Sequence, residues 1–180
     1  MKQLTKFAFL LAIFCQFATV SVSHLYAQQS VFDIARKGTV QEMEVLYKKS
    51  PELIDSQDDR NSTPLLLACY RNNEAVALYL LDHCKDINYN SGMGTALMAA
   101  IMANNSTLVA KFIEKKADLN QTDKSGKTAL IYAAFFNRNP LVKLLVDAGA
   151  NKSILDADNR TALDYATTSK NTEAIIYLSN

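Results

Sequence analysis

A block that opens with threonine returns four times along this chain. Thr63-Pro64-Leu65-Leu66-Leu67-Ala68, Thr95-Ala96-Leu97-Met98-Ala99-Ala100, Thr128-Ala129-Leu130-Ile131-Tyr132-Ala133 and Thr161-Ala162-Leu163-Asp164-Tyr165-Ala166 begin 32, 33 and 33 residues apart. A period held that far restricts the chain to architectures in which one supersecondary unit stacks on copies of itself. A single unit cannot bury its apolar face alone, so the units fold as a set. A second marker follows each block: Asn72, Asn104, Asn137 and Lys170, with Gly38 one unit earlier. A third closes the units, at Asp86-Ile87-Asn88, Ala117-Asp118-Leu119-Asn120 and Gly149-Ala150-Asn151.

Each unit reads as helix, tight turn, helix, then a projecting turn. Thr63 suits an N-cap and Pro64 the first helical position, which needs no N–H. Thr95, Thr128 and Thr161 repeat the cap. The first helix ends where a left-handed residue is wanted, and Gly38 and the three asparagines tolerate that conformation. Lys170 departs from this rule. Second helices carry apolar residues at helical spacing, such as Leu108, Val109, Phe112 and Ile113, or Leu141, Val142, Leu144 and Leu145. Pro140 falls in the first turn of one of them, and Thr39-x-x-Glu42 forms a capping box for another. Gly149 closes one second helix, and Cys84 and Lys116 hold the matching place in two others. The projecting turns are Asp58-Asp59-Arg60-Asn61, Asp123-Lys124-Ser125-Gly126 and Asp156-Ala157-Asp158-Asn159, each running from Asp to Gly or Asn as a turn requires. The third unit is one residue short there, and Gly92 and Gly94 absorb the deletion.

These blocks resemble the ankyrin repeat, whose pattern is T-P-L-H-x-A, an apolar helix and a G-A-D-x-N turn. The resemblance covers nearly all of residues 28–180 as five units, about 28–57, 58–89, 90–122, 123–155 and 156–180. It implies an all-α solenoid of five helix-turn-helix units with short projecting β-hairpin turns. The first unit reads as an N-terminal cap, with Pro51-Glu52-Leu53-Ile54 added in its loop.

Residues 1–27 read as a separate segment. Lys2 and Lys6 precede an apolar run from Phe7 to Val22, and small residues follow, with Ser21-x-Ser23 and Ala27 as places to cut. This is the form of a secretory signal peptide of bacterial type. The run falls short of the ~20 apolar residues of a membrane span. Cys15 follows Phe14 rather than the small residue of a lipoprotein site. The expectation is cleavage after Ala27 or Ser23, with export to the periplasm or beyond and no stable membrane insertion. The whole chain has 19 basic and 18 acidic residues. Loss of Lys2 and Lys6 turns its net charge of +1 to −1, which gives nucleic acid no electrostatic hold.

Motifs that could carry chemistry have simpler explanations. Ser125-Gly126-Lys127-Thr128 matches the end of a phosphate-binding loop, but Gln121 stands where that loop needs glycine. Cys69, Cys84 and His83 are too few for a closed zinc site. The two cysteines should lie near opposite ends of their unit, beyond the ~7 Å reach of a disulfide, and are read as free thiols. Asp58, Asp59, Asp156 and Asp158 fall in turns, where Asp bonds locally. Asn61, Asn105, Asn120 and Asn159 sit in glycosylation sequons but occupy turn and helix-flank positions. Tyr132 and Tyr165 read as core. No cofactor, metal or catalytic group emerges.

A binding surface does emerge. In ankyrin repeats the residues just before the mid-unit turn line a concave groove together with the hairpin tips. Here the first row is Arg36 and Lys37, Tyr70 and Arg71, Met102 and Ala103, Phe135 and Phe136, Thr168 and Ser169. Aromatics, Met and Arg are the types enriched in protein interfaces. The candidate contact residues are Arg36, Lys37, Tyr70, Arg71, Met102, Phe135 and Phe136 in the groove. At the tips they are Asp59, Arg60, Lys124, Lys127, Asp158 and Arg160. The expected function is an exported, monomeric, non-catalytic module that holds another protein. Inhibition or stabilisation of an envelope enzyme is one version, and self-association through the ends of the stack is an alternative.

Overall fold

The computed structural model describes residues 30–179. The segment read as a signal peptide, with both expected cutting places, lies outside them. From Val31 onward the chain forms one compact unit. Among the described residues ten helices follow in order: α1 (Val31–Lys37), α2 (Val40–Lys49), α3 (Pro64–Tyr70), α4 (Glu74–His83), α5 (Ala96–Met102), α6 (Ser106–Glu114), α7 (Ala129–Phe135), α8 (Asn139–Asp147), α9 (Ala162–Thr168) and α10 (Thr172–Ser179). The added residues of the first unit form a 3-10 turn, Pro51–Asp55, which buries Ile54. The odd-numbered helices pack on one another in succession, and so do the even-numbered ones, which makes two parallel layers.

The local chemistry repeats with the period. The hydroxyls of Thr63, Thr95, Thr128 and Thr161 each accept the amide three residues on, at 3.2–3.3 Å. Thr39 and Glu42 form the expected capping box, and Thr161 with Asp164 forms a second. Alanines 35, 68, 100, 133, 134 and 166 are fully buried between first helices, where a larger side chain would hold the layers apart. Phe112, Leu80, Leu108, Leu141 and Leu145 fill the space between the layers. Fully burying a side chain of that size contributes about 1.5–3 kcal/mol.

Three expectations need correction. Gly38 does not adopt positive φ; its reason is space, since a Cβ there would lie 2.7 Å from Ile34 Cα. Lys170 and Lys116 do adopt positive φ, 56° and 58°, although neither is Gly or Asn. Packing of the next helix overrides the local preference of ~1–2 kcal/mol at these turns. Cys84 does not share that conformation and sits at φ −71° in extended backbone. The Asp55 carboxylate then takes the Lys85 amide, at 2.9 Å. The projecting turns are short hairpin turns as expected, closed by backbone bonds from Asp58 N–H to the Ser62 carbonyl, Asp123 N–H to that of Lys127 and Asp156 N–H to that of Arg160, each at 3.0 Å, with a bridge between Asn90 and Thr95 in the shortened one. The last three tips also bond in succession, Lys124 N–H to the Gly92 carbonyl at 3.0 Å and Ala157 N–H to that of Ser125 at 2.9 Å. Gly92 and Gly94 carry φ of 82° and 123°, so the short turn does use both glycines.

Candidate functional site

The ends of the first helices carry the largest apolar exposure on the odd-helix layer. Tyr70 is 57% exposed, Phe135 49%, Met102 39% and Phe136 36%. Side chains of this size are ordinarily drawn into a core, so a row of four is a property to be explained. The rings of units four and five interlock. Phe135 meets Phe136 edge-on at 5.0 Å and Tyr165 of the next unit at 5.5 Å, while Phe136 stacks on Tyr132 at 6.1 Å. Contacts of this geometry fix ring orientation, and each contributes about 0.5–1.5 kcal/mol. The exposed faces are therefore held in place before any partner arrives.

The tyrosines join this row to the tips. Tyr132 OH donates to Asp123 Oδ2 at 2.6 Å, and Tyr165 OH donates to Asp156 Oδ2. Tyr165 is buried as expected, whereas Tyr132 remains half-buried. Burial, then the Asp123 bond, push the Tyr132 phenol up to about 12. Asp156 has no exposed side-chain surface, and Lys127 Nζ stands 3.1 Å from it. Burial works against its ionisation. The Tyr165 hydroxyl, the Arg160 and Asp158 amides and the Lys127 ammonium outweigh it, and the carboxyl is held far below its ordinary range.

This network changes the standing of several tip residues. Lys127 is tied to a buried carboxylate inside the fold and is no free tip. Arg160 pairs with Asp158 at 2.8 Å and lies over the Tyr165 ring, 4.7 Å from its centre. Arg36 in the groove row bonds Asp58 at 3.1 Å, which ties the first unit to the second. Asp59, Arg60 and Lys124 are exposed at the tips, and Lys37 and Arg71 are exposed in the row. One residue was missed. Met93, between the two glycines of the shortened turn, is 67% exposed. Its signal was present in the missing residue, because a contracted turn leaves a bulky side chain no neighbour to cover it.

The remaining chemistry is sparse. Cys69 is buried and Cys84 half-buried, and both are free thiols. Burial raises both, with the Asp55 carboxylate adding to it at Cys84, which reaches about 11. Thiols so raised are poor nucleophiles. His83 stacks on Tyr79 at 4.1 Å, and its Nδ1–H donates to the Tyr79 carbonyl at 2.7 Å. Among the described residues no cluster of His, Cys, Asp and Glu is placed to hold a metal ion. No helix among them is long and apolar enough to cross a membrane. A cleft of about 350 Å³ where α6 and α8 end contains none of the candidate residues.

Comparison with known families agrees with the geometry. A model described as ankyrin repeats, three copies, matches residues 31–123 and again residues 97–180.

Proposed function

The chain belongs to the ankyrin-repeat family, and from that premise we propose that it is an exported binding module that holds a partner protein in its concave groove. Ankyrin repeats are in general protein–protein interaction modules and typically non-catalytic. The observation that carries the reading here is the row Tyr70, Met102, Phe135 and Phe136, large and exposed on rigid helix ends. Pre-oriented aromatics bind with little loss of side-chain entropy, which is why they dominate interface energetics. The mechanism is contact and shape, with anchors from the row and steering from Lys37, Arg71 and Lys124. Export follows from the form of residues 1–27. In the envelope such a module could inhibit or stabilise an enzyme by covering it.

The test is affinity capture from a cell-envelope extract, with the protein and its Tyr70/Phe135/Phe136→Ala variant as parallel baits. The expected result is a protein retained by the first and lost by the second, with both giving the same circular dichroism. Equal retention by both would remove the groove as the site.

A further inference from the structure

The charges on the groove side are unevenly committed. Asp58 holds Arg36 and the amides of Arg60 and Ser62. Asp123 and Asp156 accept tyrosine hydroxyls and the amides of their own turns. Asp158 pairs with Arg160, and Asp164 caps its helix. Asp33 pairs with Arg36. On the first helices and tips, Asp59 alone among the described acids has its carboxylate uncommitted. The cations divide the other way. Lys37, Arg60, Arg71, Lys124 and Lys170 are exposed and form no ion pair among the described residues. Side chains free to meet a partner on this face are thus mainly cationic.

Three of the five gather at one end of the stack, while Lys124 lies in the fourth unit and Lys170 in the fifth. Lys37, Arg60 and Arg71 belong to the first two units, and Met102, Phe135 and Phe136 to the third and fourth. Packed helices lie about 8–10 Å apart. An extended chain advances about 3.3 Å per residue. A segment laid along the groove therefore passes one unit about every third residue.

We propose that the groove takes an extended acidic segment, with carboxylates over Lys37 and Arg71 and a large apolar or aromatic side chain about three to six residues away, seated against Met102 and Phe135. This rests on the groove reading above and specifies its occupant. Folding supplies no counter-charge to these cations, so the carboxylates of the segment do.

A phage-displayed library of random 12-residue peptides, selected on the purified protein, tests this. Enriched peptides are then synthesised and their binding read by fluorescence anisotropy. The comparison set is the protein, Lys37→Glu/Arg71→Glu and Tyr70/Phe135/Phe136→Ala, each checked by circular dichroism. The expected peptides combine Asp or Glu with Phe, Leu, Tyr or Trp at that separation. Their affinity falls at least about tenfold on charge reversal and weakens from low to high salt. Peptides lost on the aromatic variant but indifferent to charge reversal overturn the acidic occupant and leave the groove reading standing. Peptides indifferent to both variants overturn both. A library that yields no enriched peptide overturns the linear segment and leaves the groove to a folded surface.

Discussion

Asp156 shows how one residue can serve turn, core and stack together. Its carboxylate takes amides of its own turn, the hydroxyl of Tyr165 nine residues on, and the ammonium of Lys127 from the preceding unit. Tyr165→Phe removes one of these donors from a buried carboxylate and should lower stability by about 1–3 kcal/mol in urea denaturation. Because Asp156 ionises in the folded chain far below its unfolded value of ~3.9, its contribution is complete above that value and is lost as pH falls below it. The urea midpoint should therefore drop between about pH 5 and pH 2, and Asp156→Asn should flatten that drop. An unchanged slope in the variant would place the acid sensitivity elsewhere. Gly126 makes a second test. It has φ 74°, and a Cβ there would lie 3.0 Å from the Asp156 and Ala157 backbone, whereas Gly149, at φ 86°, opens onto free space. Gly126→Ala should cost about 1–3 kcal/mol and Gly149→Ala nearer 1, read as thermal midpoints. The residue types at these turns were legible from sequence, since Asp and Gly are turn formers. Their reach was not. Local turn chemistry fully explains Asp156 and Gly126, so nothing in the sequence pointed to Tyr165 or Lys127, and Lys127 read as a free tip.

At the scale of the element, the starts of the second helices form a ladder between units. Asn73 Nδ2 donates to the Gly38 carbonyl at 2.9 Å, Asn105 Nδ2 to Asn72 and Glu74 at 2.8 and 2.7 Å, and Asn171 Nδ2 to Asn137 and Asn139 at 2.9 and 2.6 Å. The corresponding place in the fourth unit is Arg138, whose buried Nε has no hydrogen-bond partner. A buried donor without an acceptor costs about 1–3 kcal/mol. Arg138→Asn should restore the rung and raise stability by about 1 kcal/mol, seen as a higher thermal midpoint. A lower midpoint would mean that the arginine stem contributes more through packing than the missing bond costs. Helix starts were readable because Thr, Pro and the capping box are local signals. Left-handed turns were readable only where the residue type matched. At Lys116 and Lys170 the geometry comes from the stack, and a single unit's composition does not report it.

At the scale of the whole repeat domain, the surface of the described residues divides by chemistry. The last three tips are bonded in succession and the rings of Phe135, Phe136 and Tyr165 interlock, so that part of the odd-helix side is held in place; the side is apolar along its middle, with three of its five unpaired cations in the first two units. The exposed row was legible from the repeat alone, because register assigns Tyr70, Met102, Phe135 and Phe136 to equivalent places. The commitment of Arg36, Lys127 and Arg160 to internal pairs was not, because it depends on distances between units. The central claim is that a partner sits on the odd-helix layer. Its most direct test is site-specific photocrosslinking in the source cells, with a benzophenone amino acid at Phe136 in one variant and at Val45, exposed on α2 of the other layer, in a second. The account predicts a covalent adduct with one partner protein from position 136 and none from position 45. An adduct from position 45 alone would contradict it.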